Sequence, residues 1–141
     1  MISKDYVDFA NENRVCYLAT MDRDQPRVRA LGMFYADETG FYFNTESTKA
    51  LAGQLKNNQK VELCYFSPKE TRMMRVTAKV EFIDDMAIRT RFFEERPILK
   101  KAGVKGPEDP FLVVFAIRSG EAYFWTMENN TKEAEIERFK F

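Results

Sequence analysis

Histidine is missing from this chain altogether. That removes the side chain most often used as a general base and most often found on a metal ion, so a Ser-His-Asp or Cys-His hydrolase in its usual form is excluded. Cysteine is scarce: Cys16 and Cys64 are the only two, far apart in sequence and each inside a strand-like run. They read as buried free thiols and support neither a metal site nor a redox Cys-x-x-Cys pair. There is no glycine loop of the Walker type. No apolar run approaches the length of a membrane span, and the first residues, Met1 to Tyr6, lack the charged-then-apolar order of a signal peptide. The expectation is a soluble cytoplasmic protein. Nor is there an excess of charge. Lys and Arg number 22 against 22 Asp and Glu, which leaves no broad basic surface to hold a nucleic-acid backbone. No repeat, low-complexity tract or linker interrupts the 141 residues, a length that suits one domain, 1–141, with a sizeable core.

Aromatic residues are abundant, with thirteen Phe and six Tyr. Ser3 is placed as an N-cap, with Ile2 and Val7 as a hydrophobic staple, and Tyr6, Val7, Phe9 and Ala10 give a short amphipathic helix ending near Asn13. Val15 to Thr20 reads as a buried strand, and Asp22 to Pro26 as a turn. Arg27 to Ala36 reads as the next strand, with Arg27, Arg29, Leu31 and Met33 on one face. Asp37 to Gly40 is a tight connection into Phe41, which predicts a hairpin between these two strands. Thr71 to Ile83 alternates as one long strand. Asp84 is positioned to cap a helix from Asp85 to about Glu95, with Met86, Ile88, Phe92 and Phe93 for burial. The 96–110 stretch is rich in proline and glycine and reads as a loop with room for one helical turn, either a lid or a plain connection. Phe111 to Ile117 is an apolar strand, Ser119-Gly120 a bulge, and Glu121 to Met127 its continuation. The last residues fit a short helix or a last strand. The sum is a mainly β chain with short helices, α+β in class: about six mostly antiparallel strands closed into a small barrel around an aromatic core.

The stretch from Gly40 to Phe66 carries the chemistry. Phe41-Tyr42-Phe43 is extended in character. Asn44 to Thr48 clusters small hydroxyl and amide side chains, and Lys49 to Lys56 puts Leu51 and Leu55 on one helix face. A helix start offers free N–H groups and partial positive charge, which suit a phosphate. Thr45, Ser47 and Thr48 add hydroxyls and Lys49 a full charge. The hairpin would bring Arg29 towards the same point. The plain alternatives stay open at this level: an ordinary N-cap with a solvated lysine, and two arginines on a solvated strand face.

Taken in order, the segments CYLATMDRDQPRVRALGMFY, FYFNTESTKALAGQLKNNQKVEL, RVTAKVEF and FAIRSGEAYFWT resemble the FMN-binding split-barrel family typified by pyridoxamine 5′-phosphate oxidase. They look nearest to its small nitroimidazole-resistance-type branch. The resemblance covers nearly the whole chain. It implies a split β-barrel and a homodimer with FMN at the subunit interface. It also implies a phosphate contact from Arg29, with Arg27 as a second arginine, and backbone contacts along the ring from Ala30 and Leu31. Further phosphate contacts are implied from Asn44, Thr45, Ser47, Thr48 and Lys49. On the long fifth strand Met73 or Met74 is implied to meet the ring, and Trp125 is implied to reach it from the partner chain. An interface Trp125 without cofactor contact is the other reading. The oxidases of the family hold their substrate with a C-terminal arginine and histidine. This chain has no histidine and is shorter, so oxidation of pyridoxamine phosphate is not expected, and no catalytic residue is assigned.

The function expected is therefore an FMN-dependent oxidoreductase acting on a small conjugated substrate, with a nicotinamide cofactor as candidate reductant. A flavin or haem-type binder without turnover, a carrier or sensor, is the alternative. A nucleic-acid-binding barrel is the third reading, and the neutral charge balance argues against it.

Overall fold

The computed structural model describes residues 1–141. Helix α1 (Lys4–Glu12) leads into strands β1 (Val15–Asp22), β2 (Gln25–Gly32), β3 (Tyr35–Asp37) and β4 (Gly40–Glu46). Helix α2 (Ala50–Asn57) follows, then β5 (Lys60–Ser67), β6 (Arg72–Lys79) and β7 (Glu81–Phe82). Helices α3 (Met86–Glu95) and α4 (Ile98–Lys101) precede β8 (Leu112–Ile117), β9 (Gly120–Trp125) and, after two 3-10 turns, β10 (Phe139–Lys140). The strands form two antiparallel sheets, in the orders β10-β9-β6-β5-β1-β2 and β3-β4-β8-β7. This is the α+β split barrel that the alternation leads one to expect, built from more and shorter strands.

The extra strands come from corners. Arg27 to Ala36 is not one strand: β2 pairs with β1, whereas β3 pairs with β4 through Tyr35 and Tyr42. The chain changes sheets at Met33-Phe34, where the Met33 N–H donates to Arg14 O and the Phe34 N–H to Tyr42 O. The same happens at Val80, between β6 and β7, and at Arg118-Ser119, where a bulge was expected between β8 and β9. The two-residue period changes phase at each corner: after Met33 it is Ala36 and not Tyr35 that returns to the shared core, and after Ile117 it is Ala122, while Phe82 past Val80 is 41% exposed. At the last corner Gly120 passes so close to β6 that a Cβ would lie 2.6 Å from Thr77 O, a space only glycine can occupy.

Inner-facing Leu18, Leu63, Met74 and Val76 of one sheet meet Phe41, Phe43 and Phe115 of the other in a continuous apolar core that also takes in α1 and α2. Phe43 and Phe115 stack with centroids 5.3 Å apart. The outer face of the four-stranded sheet is covered by α3 and α4, where Tyr35, Tyr42, Leu112 and Val114 pack on Phe92 and Leu99. The outer face of the six-stranded sheet has no cover of its own. Val15, Tyr17, Val28 and Phe66 point from it and are 64, 48, 71 and 39% exposed.

Helix α3 starts one residue later than its pattern suggests. Asp85 is its cap, and its carboxylate accepts from the Ile88 N–H at 3.0 Å. The buried stripe is also different: Arg89 and Phe92 are sealed in, while Met86 is 49% exposed. Asp85→Ala is expected to cost about 1 kcal/mol, read as a lower urea midpoint with an unchanged slope. At the C-terminus the chain ends in strand β10, which pairs with β9 through Phe139 and Lys140.

Candidate functional site

Strand β2 ends the six-stranded sheet, so one of its edges is unpaired. In an antiparallel pair the residues alternate between bonding the neighbour and pointing away. The Met33 N–H bonds Arg14 O, which places Leu31, Arg29 and Arg27 in the bonded set facing β1. The backbone groups of Val28, Ala30 and Gly32 therefore face outward. Ala30 presents free backbone, whereas the Leu31 backbone is spent on β1 and its half-buried side chain packs on the core.

The side chain of Arg29 lies on the inner face of β2. Its Nη1 donates to Leu18 O at 3.1 Å and to Thr20 Oγ1 at 2.8 Å, and its Nη2 donates to Gln54 Oε1 at 2.6 Å. The Thr20 hydroxyl donates in turn to Gln54 Oε1 at 2.7 Å. Gln54 stands on α2, so Arg29 does reach this helix. It does so through the helix flank, about 6 Å along the axis from Ala50, and not through a hairpin with β4. A guanidinium has five N–H donors. Three are used here, leaving Nε and one Nη2 hydrogen for a ligand. Burial lowers the Arg29 pKa. Arg27 is different: it is exposed and tied to Asp22 at 3.3 Å.

The start of α2 is open. Lys49 is its N-cap by backbone conformation, in place of the Ser or Thr that the sequence suggests, and no side chain caps it. Ser47, Thr48 and Lys49 are exposed, and Lys49 Nζ lies 3.3 Å from Glu46. Thr45 and Asn44 are neighbours on β4 and point to opposite faces. Asn44 shares the outer face with Tyr42, while Thr45 is 1% exposed and faces inward. The Thr45 Oγ1 is buried with no hydrogen-bond partner.

One other buried polar atom has no partner, Arg96 Nη1, and sequence reasoning missed this residue. Arg96 follows the last turn of α3 and backs onto the end of β2. Its Nη2 lies 3.5 Å from Gly32 O, and its guanidinium sits 5.3 Å from the Phe34 ring centroid. Burial and the nearby Arg14 charge lower its pKa, and Glu46 opposes them. Buried polar groups are normally satisfied, so an open donor here suits a ligand acceptor. The available signal was an arginine on the apolar stripe of a helix, directly before Pro97.

Met73 and Trp125 face each other across β6 and β9. Both are half-buried on the outer sheet face, where Met73 Sδ accepts from Cys64 Sγ at 3.6 Å. Met74 points the other way and is fully buried, which removes it as a ring contact. Three strand spacings separate β6 from β2, about 14 Å, and Arg29 is on the opposite face. Within one chain the structure does not bring Met73 or Trp125 to Arg29.

The unpartnered Thr45 Oγ1 and Arg96 Nη1, the free backbone of β2 and the uncapped start of α2 all supply hydrogen-bonding groups. Such groups match the phosphate, the polyol chain and the alternating C=O and N–H edge of a flavin mononucleotide. The comparisons agree with this chemistry. A family model described as pyridoxamine 5′-phosphate oxidase matches residues 2–126, so the chain belongs to that family. A Caenorhabditis elegans protein provisionally assigned as a pyridoxamine 5′-phosphate oxidase is 30% identical over 98 residues, 68% of this chain and 42% of that protein. The chain thus spans about two fifths of the length of that curated relative. Among solved structures, a NimC/NimA family protein of Clostridium acetobutylicum is 28% identical with a TM-score of 0.80, covering 98% of this chain and 92% of its own. A pyridoxamine 5′-phosphate oxidase-related, FMN-binding protein of Nostoc punctiforme shares the fold at 15% identity, with a TM-score of 0.72 and coverage of 98% and 95%. No helix is long and apolar enough to cross a membrane.

Proposed function

We propose that this chain is an FMN-binding oxidoreductase that works as a cytoplasmic homodimer on a small conjugated substrate, with a nicotinamide cofactor as its reductant. The observation that carries the reading is that Arg29, held against α2 through Gln54, keeps two donors, while Thr45 Oγ1, on the strand that leads into the uncapped start of α2, has no partner. Family membership and the FMN-binding Nostoc neighbour support the choice of ligand. In this reading Arg29, Ser47, Thr48, Lys49 and the free N–H groups of α2 hold the phosphate, and the exposed backbone of Ala30 lies along the ring. Arg27, tied to Asp22 at the rim, adds only long-range charge, and Asn44, on the opposite face of β4, stays outside this set.

When bound, FMN supplies hydride transfer at its ring nitrogen N5. The chain's part is to bind, orient and exclude water. No acid or base is assigned, because there is no histidine, and Asp109, the one carboxyl with a displaced pKa, is held low by the N–H groups of Lys105 and Phe111. The uncovered outer face of the six-stranded sheet supports the dimer. A two-fold axis through that face would bury Val15, Tyr17 and Val28 and carry Met73 and Trp125 of one protomer towards β2 of the other.

The lack of an acid or base equally favours a binder without turnover. Absorbance after loading with FMN and desalting tests both readings. Flavin bands retained at one per chain, bleached by NADH or NADPH and restored by an acceptor, are the expected result. Bands that are retained but never bleached would favour the carrier or sensor. A colourless protein would overturn the flavin reading.

A further inference from the structure

On the other flank of α2, away from Arg29 and from the outer sheet face, lies a cavity of about 620 Å³. Its walls are largely apolar: Ala52 of α2, Phe82 and Ile83 at β7, Met86 of α3, Pro110 and Leu112. At its side sits Arg89, only 8% exposed. Nε donates to Pro107 O at 2.7 Å, and Nη2 donates to Asp109 O and Leu112 O at 3.0 Å each. No carboxylate lies within ion-pairing distance of it. Its remaining nitrogen, Nη1, is held by no protein group and is not sealed from solvent. Arg89 lines the cavity, and Nη1 is the nitrogen it has left to offer a ligand.

A buried cation is normally paired, because leaving water costs several kcal/mol that carbonyl dipoles repay only in part. Arg89 has the dipoles and lacks the anion. A guanidinium fixed by three carbonyls cannot swing away, so its free edge is a preset receptor for a planar anion. Asp84 and Glu108 stand at the cavity alongside Lys56. Two carboxylates disfavour a phosphate dianion and tolerate a single negative charge. The size falls in the usual range for small-ligand sites. We propose that this cavity, which shares only Ser47 with the phosphate site at the start of α2, is a second ligand site that takes a small aromatic or aliphatic monocarboxylate with its carboxylate on Arg89 Nη1 and its apolar body against Phe82, Ile83 and Met86.

The test uses 2-naphthoate and its neutral isostere 2-naphthylmethanol, titrated into the protein with FMN in excess and followed by calorimetry and amide NMR shifts. Gly53 lines the cavity, and a Cβ there would meet nothing within 4 Å. Gly53→Leu therefore fills the space without disturbing the core and replaces a poor helix former. The expected result is that naphthoate binds at least tenfold more tightly than the alcohol and shifts residues of the cavity. Gly53→Leu should weaken it at least tenfold while leaving flavin absorbance unchanged. Arg89→Lys, which keeps the charge and loses the fork, should fall between. Equal affinity for acid and alcohol, naphthoate binding that Gly53→Leu leaves intact, or no binding at millimolar concentration would each overturn the proposal. Because FMN retention is read in the same samples, a failure of the flavin reading shows separately.

Discussion

Arg29→Ala is expected to lose FMN. Hydrogen bonds to a charged group contribute roughly 1.5–3 kcal/mol, so removing the guanidinium should weaken FMN binding about 10- to 100-fold. Flavin fluorescence titration would measure it. The substitution also takes the side-chain donor from Leu18 O and from Thr20 Oγ1, and one of the two donors from Gln54 Oε1. Thr20 still donates to Gln54, so the fold should lose only about 1 kcal/mol and the circular dichroism spectrum should persist. Arg27→Ala is the matched control. It has the same charge on the same strand face, two residues away, but it is exposed and paired with Asp22. Its loss should change FMN affinity by less than about threefold, the scale of an exposed ion pair. Equal losses at both positions would mean that general positive potential, and not the Arg29 site, holds the phosphate.

Val28→Asp is expected to give a monomer and to lose flavin with it. Val28 stands on the outer face of β2, 71% exposed, opposite Ala19 and beside Tyr17. In an isolated chain the change touches no core residue, so stability should move by about 1 kcal/mol or less. Across a two-fold interface the same carboxylate appears twice and is desolvated each time. Burying an unpaired charge costs several kcal/mol, enough to raise the dimer dissociation constant more than 100-fold. Light scattering should report half the wild-type mass. Flavin affinity should fall in parallel, because Met73 and Trp125 can approach Arg29 only from a second copy. A wild-type protein that is itself monomeric at micromolar concentration and still retains FMN would sink both the interface and the shared site.

The fold was largely legible in the sequence, for a definite reason. Alternation reports which face a residue turns to the core, and along the long 71–83 stretch it is correct for Met74, Val76 and Val80. It does not report which sheet the residue belongs to. Met33, Val80 and Arg118 sit at corners where the phase shifts by one residue between apolar neighbours, Tyr35 and Ala36, Phe82 and Ile83, Ala122 and Tyr123, so three bends vanished into two long strands and a bulge. The site was half legible. Arg29, the hydroxyl cluster and Lys49 stand out by residue type, but the route from Arg29 to α2 runs through Thr20 and Gln54, two polar side chains with no motif around them. Arg89 and Arg96 were hidden by the rule that helix arginines face solvent. Here the stripe formed with Phe92 lies inward on Tyr35, Tyr42 and Leu112, and backbone carbonyls take the place of water.

The strand order also dictates when this chain can fold. Strand β8 lies between β4 and β7, and β9 joins β6 to β10. Phe41 thus waits for Ile117, and Met74 for Phe124. Until residues 112–125 leave the ribosome, the smaller sheet lacks the strand that links β4 to β7, and the aromatic core lacks Phe115 and Ile117. Contacts so distant in sequence slow folding, because the loop must be closed before the pairing rewards it. During synthesis a hundred residues of half-built barrel must be kept from other nascent chains. The β8–β9 segment acts as the last stave, and its arrival turns two open sheets into one molecule.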